Sequence, residues 1–354
     1  MKEMTTRERI QRMYEHRDAD RVPIVEEPWA STIERWRREG MGDADYVDYF
    51  GLDWMPRISV DNSPRFPMGV VEDDGDRLTL KTSWGSTIKH IRSESSLALI
   101  DAEVKTKDDW LKAKERMTPS DDRIPWDYLK SHAPRWKERG AWVQAIGWFG
   151  FDTTHSFFIG TERELLALAE DPEWCVDMWR TQQELCLTLL DRMWDAGYRF
   201  DQLLVYDDMG YKNNQFFSIR TYRNLLKPIH QRAIDWAHAK GVRMYLHSCG
   251  DIRPFIPDLV EMGLDALNPL EVKAGVDPVA VKREYGDKLL LHGGVDAVLW
   301  SDINRMEASV RQTLPELMKN GGYIFGTDHS TPNNVSLEDF RRIVDLAKQL
   351  GSYS

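Results

Sequence analysis

Residues 242–268 read VRMYLHSCGDIRPFIPDLVEMGLDALN. VRMYL (242–246) and DALN (265–268) are short apolar runs, and the stretch between them has helical character. Strand, helix and strand in that order predict a parallel βαβ unit. Working outward, the same alternation recurs at WVQAI (142–146), QLLVY (202–206), KLLL (288–291) and GYIF (322–325). RVPIV (21–25) and RISV (57–60) bring the strands to eight. Eight strands alternating with helices predict an α/β chain folded as a (β/α)8 barrel, one domain over residues 1–354. An open doubly wound sheet is the alternative, but no G-x-G-x-x-G follows any strand.

The segments between strands carry helix signals. Thr5 with Glu8 forms a capping box and predicts an N-terminal helical extension ending near His16. A second helix is expected over 31–39, stopped by Gly40. Thr161 with Glu164 reads as another capping box, and Asp171-Pro172 sets a cap before a first-turn proline. Ser336 and Asp339 open the last helix, which Gly351 ends. A helix containing Pro228 is expected to start near Ser218. Residues 77–91 alternate and turn at Trp84-Gly85, which predicts an inserted β-hairpin. Residues 119–134 are expected to form a loop with weak helical character.

Composition narrows the function. Of 354 residues 42% are hydrophobic and 30% charged, which excludes disorder. A formal net charge of −11 argues against nucleic acid or an anionic membrane as partner. No apolar run approaches the ~20 residues of a membrane span, and the polar N-terminus predicts a cytoplasmic protein. Cys175, Cys186 and Cys249 cannot build a disulfide framework. Cys175 and Cys186 share one helix face amid apolar neighbours, a core position.

In such a barrel the site lies at the C-terminal strand ends. Those ends carry Glu26 and Glu27, Asp207 and Asp208, His247 and Cys249, Glu271, His292 and Asp296, and Asp328 and His329. Acids cap helices, so some of these positions are plain loop chemistry; three His and a Cys are poor caps. His247 and Cys249 stand at i and i+2 on a strand, hence on one face. An imidazole and a thiolate suit Zn(II); the other reading is a hydrogen-bonded histidine beside an inert thiol. A catalytic zinc needs a third protein ligand. The candidates are His329, then Glu271, then His292. His155 is a pocket-lining candidate. His230 and His238 read as surface or helix-packing residues, and Arg35, Arg37 and Arg38 as a solvated helix face.

The stretches TTRERIQRMYEHRDADRVPIV (5–25), YDDMGYKNNQFFS (206–218), HSCGDIRPFIPDLVEMGLDALNPLEVKAGVDP (247–278), YGDKLLLHGGVD (285–296) and GGYIFGTDHSTPNNVS (321–336) resemble the uroporphyrinogen decarboxylase superfamily. The resemblance implies the same barrel with a deep cleft. Decarboxylases of the superfamily carry an arginine-rich WxMRQAGR segment that binds substrate carboxylates; here that place reads EEPWASTIERW (26–36). The methyltransferase branch, which moves a methyl group between a corrinoid carrier and a thiol or methyl donor, has a His-x-Cys zinc motif followed by a distant Cys. His247 and Cys249 match its first part, and no Cys follows. The resemblance thus implies Zn(II) on His247 and Cys249; His329 is taken as the third metal ligand from the strand-end reading, with Glu271 and His292 as the alternatives. Asp207, Asp208, Glu271 and His292 become catalytic candidates, the two aspartates orienting substrate or shuttling a proton. The resemblance further implies a cobamide brought by a corrinoid carrier protein and a small-molecule substrate; a homodimer is the oligomeric state expected, without a motif that decides it. Metal-free decarboxylation of a tetrapyrrole carboxylate and non-catalytic corrinoid binding are the alternatives.

Overall fold

The computed structural model describes residues 3–93 and 96–353. Thirteen strands are present among them: β1 (Arg57–Ser59), β2 (Gly69–Asp73), β3 (Arg77–Lys81), β4 (Ser86–Ile91), β5 (Ser96–Ala102), β6 (Gln144–Gly147), β7 (Gln202–Tyr206), β8 (Gly210–Tyr211), β9 (Asn214–Gln215), β10 (Arg243–His247), β11 (Ala266–Asn268), β12 (Leu290–His292) and β13 (Tyr323–Ile324). Seven form a parallel sheet in the order β1-β6-β7-β10-β11-β12-β13. Helices cover it, which is why its strands read as continuous apolar runs rather than alternating ones. Leu203, Val205, Leu246, Leu267 and Leu291 are almost fully buried, each worth about 1.5–3 kcal/mol of transfer free energy.

RVPIV runs beside the free edge at β13 but makes only isolated bridges, Ile24 to Phe325 in parallel and Arg21 to Ser352 antiparallel. Pro23 has no N–H to give a ladder. Instead Phe325 N donates to the Pro23 carbonyl at 2.8 Å, and Val25 N to the Phe325 carbonyl at 2.9 Å. On its other side the Ile24 carbonyl accepts from Asp53 N at 2.9 Å, just before β1.

The N-terminal helix, Thr6–Tyr14, has the predicted capping box. It buries Arg9, whose guanidinium meets Asp20 (2.8 Å) and Asp53. Asp171 caps the long helix Pro172–Asp195, in which Cys175 and Cys186 are buried. Ser336 caps Leu337–Leu350. The helix expected near Ser218 forms in three parts, Ile219–Thr221, a π-type segment Tyr222–Leu226 and Lys227–Ala239, with Pro228 at the start of the last.

Four expectations are corrected. The predicted hairpin is the middle of a four-stranded antiparallel sheet, β2-β3-β4-β5; β2 is exposed at every residue, so it shows no alternation to read. The expected loop 119–134 contains most of a helix, Trp126–Glu138, with Pro134 inside it. Thr161 lies inside its helix rather than at the cap: Gly160 (φ +91°) takes the cap position. Glu164, its supposed partner, is buried and accepts from Trp179 Nε1 at 2.9 Å. The second helix ends at Trp36 and continues as a π-type turn, Arg37–Met41. Among the described residues no helix is long and apolar enough to cross a membrane.

Candidate metal centre and its pocket

Strand register assembles the site. Tyr206, His247 and Asn268 are neighbours across β7, β10 and β11, one at the end of each strand. His247 Nδ1 lies 2.5 Å from Asn268 Oδ1. Asn268 Nδ2 donates to the His292 carbonyl at 3.1 Å, which fixes the amide's orientation. Its oxygen therefore faces the imidazole, so Nδ1 carries the proton and Nε2 presents a lone pair. That lone pair faces Cys249 Sγ at 3.3 Å and Asp208 Oδ1 at 3.8 Å. Ligand atoms of Asp208, His247 and Cys249 all lie within 4.8 Å of one another. A histidine whose second nitrogen is tied to a carbonyl is the usual arrangement of a metal ligand.

Electrostatics suit the same reading. Burial pushes His247 below its ordinary range, against the opposing Asn268 bond, and keeps the imidazole neutral. Burial, followed by the nearby Asp208 and Glu271 carboxylates, pushes the Cys249 thiol up. Asp208 is pushed up to about 8 by burial and then by Asp152, although Cys249 N donates to its Oδ1 at 2.7 Å. Three donors crowded together, two of them with suppressed ionisation, are what a divalent cation would relieve.

The third donor of this cluster is Asp208, not His329 as expected. His329 is an exposed residue on the rim of the same cavity, and its carbonyl accepts from Thr327 Oγ1 at 2.7 Å. Glu271 is turned away to accept from Gly250 N at 2.6 Å, with Lys273 at 3.3 Å. His292 lines the cavity with its nitrogens used internally: Tyr245 Oη donates to Nδ1 at 2.5 Å and Nε2 donates to the Val25 carbonyl at 3.3 Å. Burial pushes it down to about 4, so it is a neutral wall residue.

Asp207, expected to meet substrate, is fully buried behind the wall. It accepts from Asp152 N and His230 Nε2, both at 2.8 Å. His230, read as surface or helix packing, is thus a buried partner of an acid, with Tyr222 Oη 3.2 Å from its Nδ1. His238 pairs with Asp265 at 2.7 Å on the outside. His155 packs on Phe151 and Phe216, 3.1 Å from Thr161 Oγ1.

The cavity measures about 210 Å³. Its wall includes Val25, Met55, Leu204, Tyr206, Tyr245, His247, Cys249 and Asn268. It also holds two residues that strand-end reasoning did not join: Glu27 and Arg57, ion-paired with each other. Burial pushes Glu27 up, and Arg57 more than cancels that, leaving it below the ordinary range. Arg57 opens β1 rather than following it, so a search of strand C-termini passes over it. Asn268 ends DALN, and only the register against His247 would have singled it out.

A family model for uroporphyrinogen decarboxylase matches residues 153–350. The chain belongs to the uroporphyrinogen decarboxylase family. The match contains Asp208, His247, Cys249, Asn268, His292 and His329, and leaves Glu27 and Arg57 outside. A methyltransferase from Methanosarcina mazei shares the family member's fold, with a TM-score of 0.68 at 16% identity over 98% of this chain and 99% of that one. The putative vitamin-B12 independent methionine synthase of Listeria monocytogenes aligns at 11% identity over 94% and 97% of the two chains, with a TM-score of only 0.38. A search of curated proteins returns no match. Where decarboxylases of the family place arginines, this member has the helix Ala30–Trp36. Arg35 there binds Glu39 and the Asn333 carbonyl instead of the cavity.

Proposed function

We propose that this chain is a zinc-dependent methyltransferase that works on a small thiol or methyl donor together with a corrinoid carrier protein. We read the sheet, with RVPIV as the eighth strand, as a closed (β/α)8 barrel in a single-domain cytoplasmic protein. The observation that carries the reading is the cluster of Asp208, His247 and Cys249 with its one oriented lone pair. One nitrogen, one sulfur and one oxygen donor fit a catalytic zinc, which takes three protein ligands. When bound, Zn(II) supplies a Lewis acid that holds a thiol as thiolate or polarises a methyl donor.

The chain's own residues do the rest. Asn268 holds the His247 ring so that Nε2 faces the cavity. The Cys249 backbone N–H orients Asp208 through Oδ1. Val25, Met55 and Leu204 give the cavity an apolar part of its wall. At about 210 Å³ the cavity lies below the ~300–1,000 Å³ of drug-sized ligand sites, which favours a compact substrate over a tetrapyrrole. A corrin ring is likewise too large to enter, so a cobamide would be presented at the mouth by its carrier.

The test is elemental analysis of the purified protein. We expect stoichiometric zinc in the wild type and loss of most of it in Cys249→Ser, because thiolate is the strong ligand. No metal in the wild type, or full zinc in Cys249→Ser, overturns the reading.

A further inference from the structure

Arg57 is the only lysine or arginine among the described residues that line the cavity. Its side chain is 37% exposed and that of its partner Glu27 46%, so both face the cavity's solvent. The pair is single-pronged: Nη2 donates to Glu27 Oε1, and no other acceptor for the guanidinium is found among the described residues. A guanidinium has five N–H donors in a planar fork, so most of this one is left for a ligand. Its carbon stands 5.9 Å from the centre of the Tyr206 ring. The His247 ring lies 4.9 Å from the same ring, and Trp148 stacks on it at 5.5 Å. The cation and the imidazole of the candidate metal centre are therefore both neighbours of one tyrosine ring in the same cavity wall.

The acids of the wall do not offer the complementary site for a cation. Asp328 has both oxygens taken, by Val272 N and Ala297 N, each at 2.8 Å. Glu26 is occupied by Thr327 and Thr331. Glu27 is already neutralised by Arg57. The surplus in this cavity is of donors, and they sit on one fork that matches a carboxylate edge.

We infer that Arg57 is the specificity residue of the site, binding the carboxylate of a compact substrate whose other end reaches His247 and Cys249. The second half of that statement rests on the proposed function; the first does not. Glu27 is the resident competitor, an internal carboxylate that the substrate's own displaces. Each side chain keeps more than a third of its surface exposed, so the exchange leaves neither charge sealed from water.

The experiment uses the full chain and calorimetric titration with propionate, propylammonium and propanol, none of which carries a thiol. Propionate should bind at least tenfold more tightly than the other two. Arg57→Gln should weaken propionate at least tenfold, Arg57→Lys should keep part of the affinity, and Glu27→Gln should tighten it several-fold. Propionate binding indifferent to Arg57→Gln overturns the inference. So does a preference for propylammonium that Glu27→Gln abolishes. Retention of part of the affinity by Arg57→Lys, with an unchanged thermal midpoint, excludes misfolding as the cause of the loss. 3-Mercaptopropionate on the zinc-loaded wild type should then bind at least tenfold more tightly than propionate. Cys249→Ser should remove that gain. If no gain appears while the Arg57 dependence of propionate stands, the metal reading fails and the carboxylate site survives.

Discussion

Asn268 Oδ1 accepts the Nδ1 proton of His247 across 2.5 Å, while the Asn268 amide is itself anchored on the His292 carbonyl. That pair decides which imidazole nitrogen can bind an ion. Asn268→Ala should lower zinc affinity by about 10–100-fold, the usual effect of removing such a support. Competition against a chelator would measure it. Unchanged affinity would show that Nε2 is oriented by something else.

His329 should be dispensable for metal. It is an exposed rim residue outside the three-donor cluster. We expect His329→Ala to keep stoichiometric zinc and to shift the urea midpoint by no more than ~1 kcal/mol equivalent, as for a substitution without a cavity. Asp208→Ala should lose metal. Zinc lost from the first variant and kept in the second would restore the arrangement read from the sequence alone.

The Asp207–His230 contact is a stability element. Both side chains are at most 2% exposed, and burial pushes Asp207 up against the pull of His230. His230→Ala removes the one side-chain donor of a buried carboxylate and should cost about 3 kcal/mol. Metal content should stay stoichiometric. Urea unfolding of the variant, with zinc measured in parallel, separates this role from a catalytic one.

Glu26 predicts a pH dependence of stability. Thr327 Oγ1 lies 2.8 Å from Glu26 Oε2 and 2.7 Å from the His329 carbonyl, yet the hydroxyl has one proton for two acceptors. A protonated Glu26 donating to Thr327 satisfies both. Burial raises this carboxyl from 4.5 to about 7. The folded state therefore holds a proton that the unfolded chain has lost, and stability falls as pH rises from about 4.5 to 7. The full drop is of order ~3 kcal/mol. Denaturation midpoints across that interval should decline in the wild type and flatten in Glu26→Gln.

How far the chain can be read without its structure depends on whether a feature is local. QLLVY is found as β7 to the residue because a buried parallel strand is apolar throughout. His247 and Cys249 are picked out by their spacing, but β10 ends at His247 and Cys249 lies two residues beyond it, so the chain leaving the strand, not strand periodicity, brings the sulfur to the imidazole. Thr161 and Glu164 have the spacing of a capping box, but the positive φ of Gly160 and the pull of Trp179 give them other roles. Asn268 and Arg57 were hidden because their meaning depends on which strand lies beside which. His230 was hidden because nothing in a helix sequence announces an acid on the neighbouring strand end.

The wall that carries Val25, Glu26 and Glu27 is fastened to Phe325 and Thr327, a separation of 301 residues between Glu26 and Thr327. On a ribosome adding ~5–20 residues per second, the first of these segments would wait roughly 15–60 s for the second. During that time Ile24 and Val25 have no strand to lie against, and the cavity lacks one side. Only over the last quarter of that interval, roughly 4–16 s at the same rate, are His247 and Cys249 made but not yet enclosed. A chaperone that shields the early segment would act in that window.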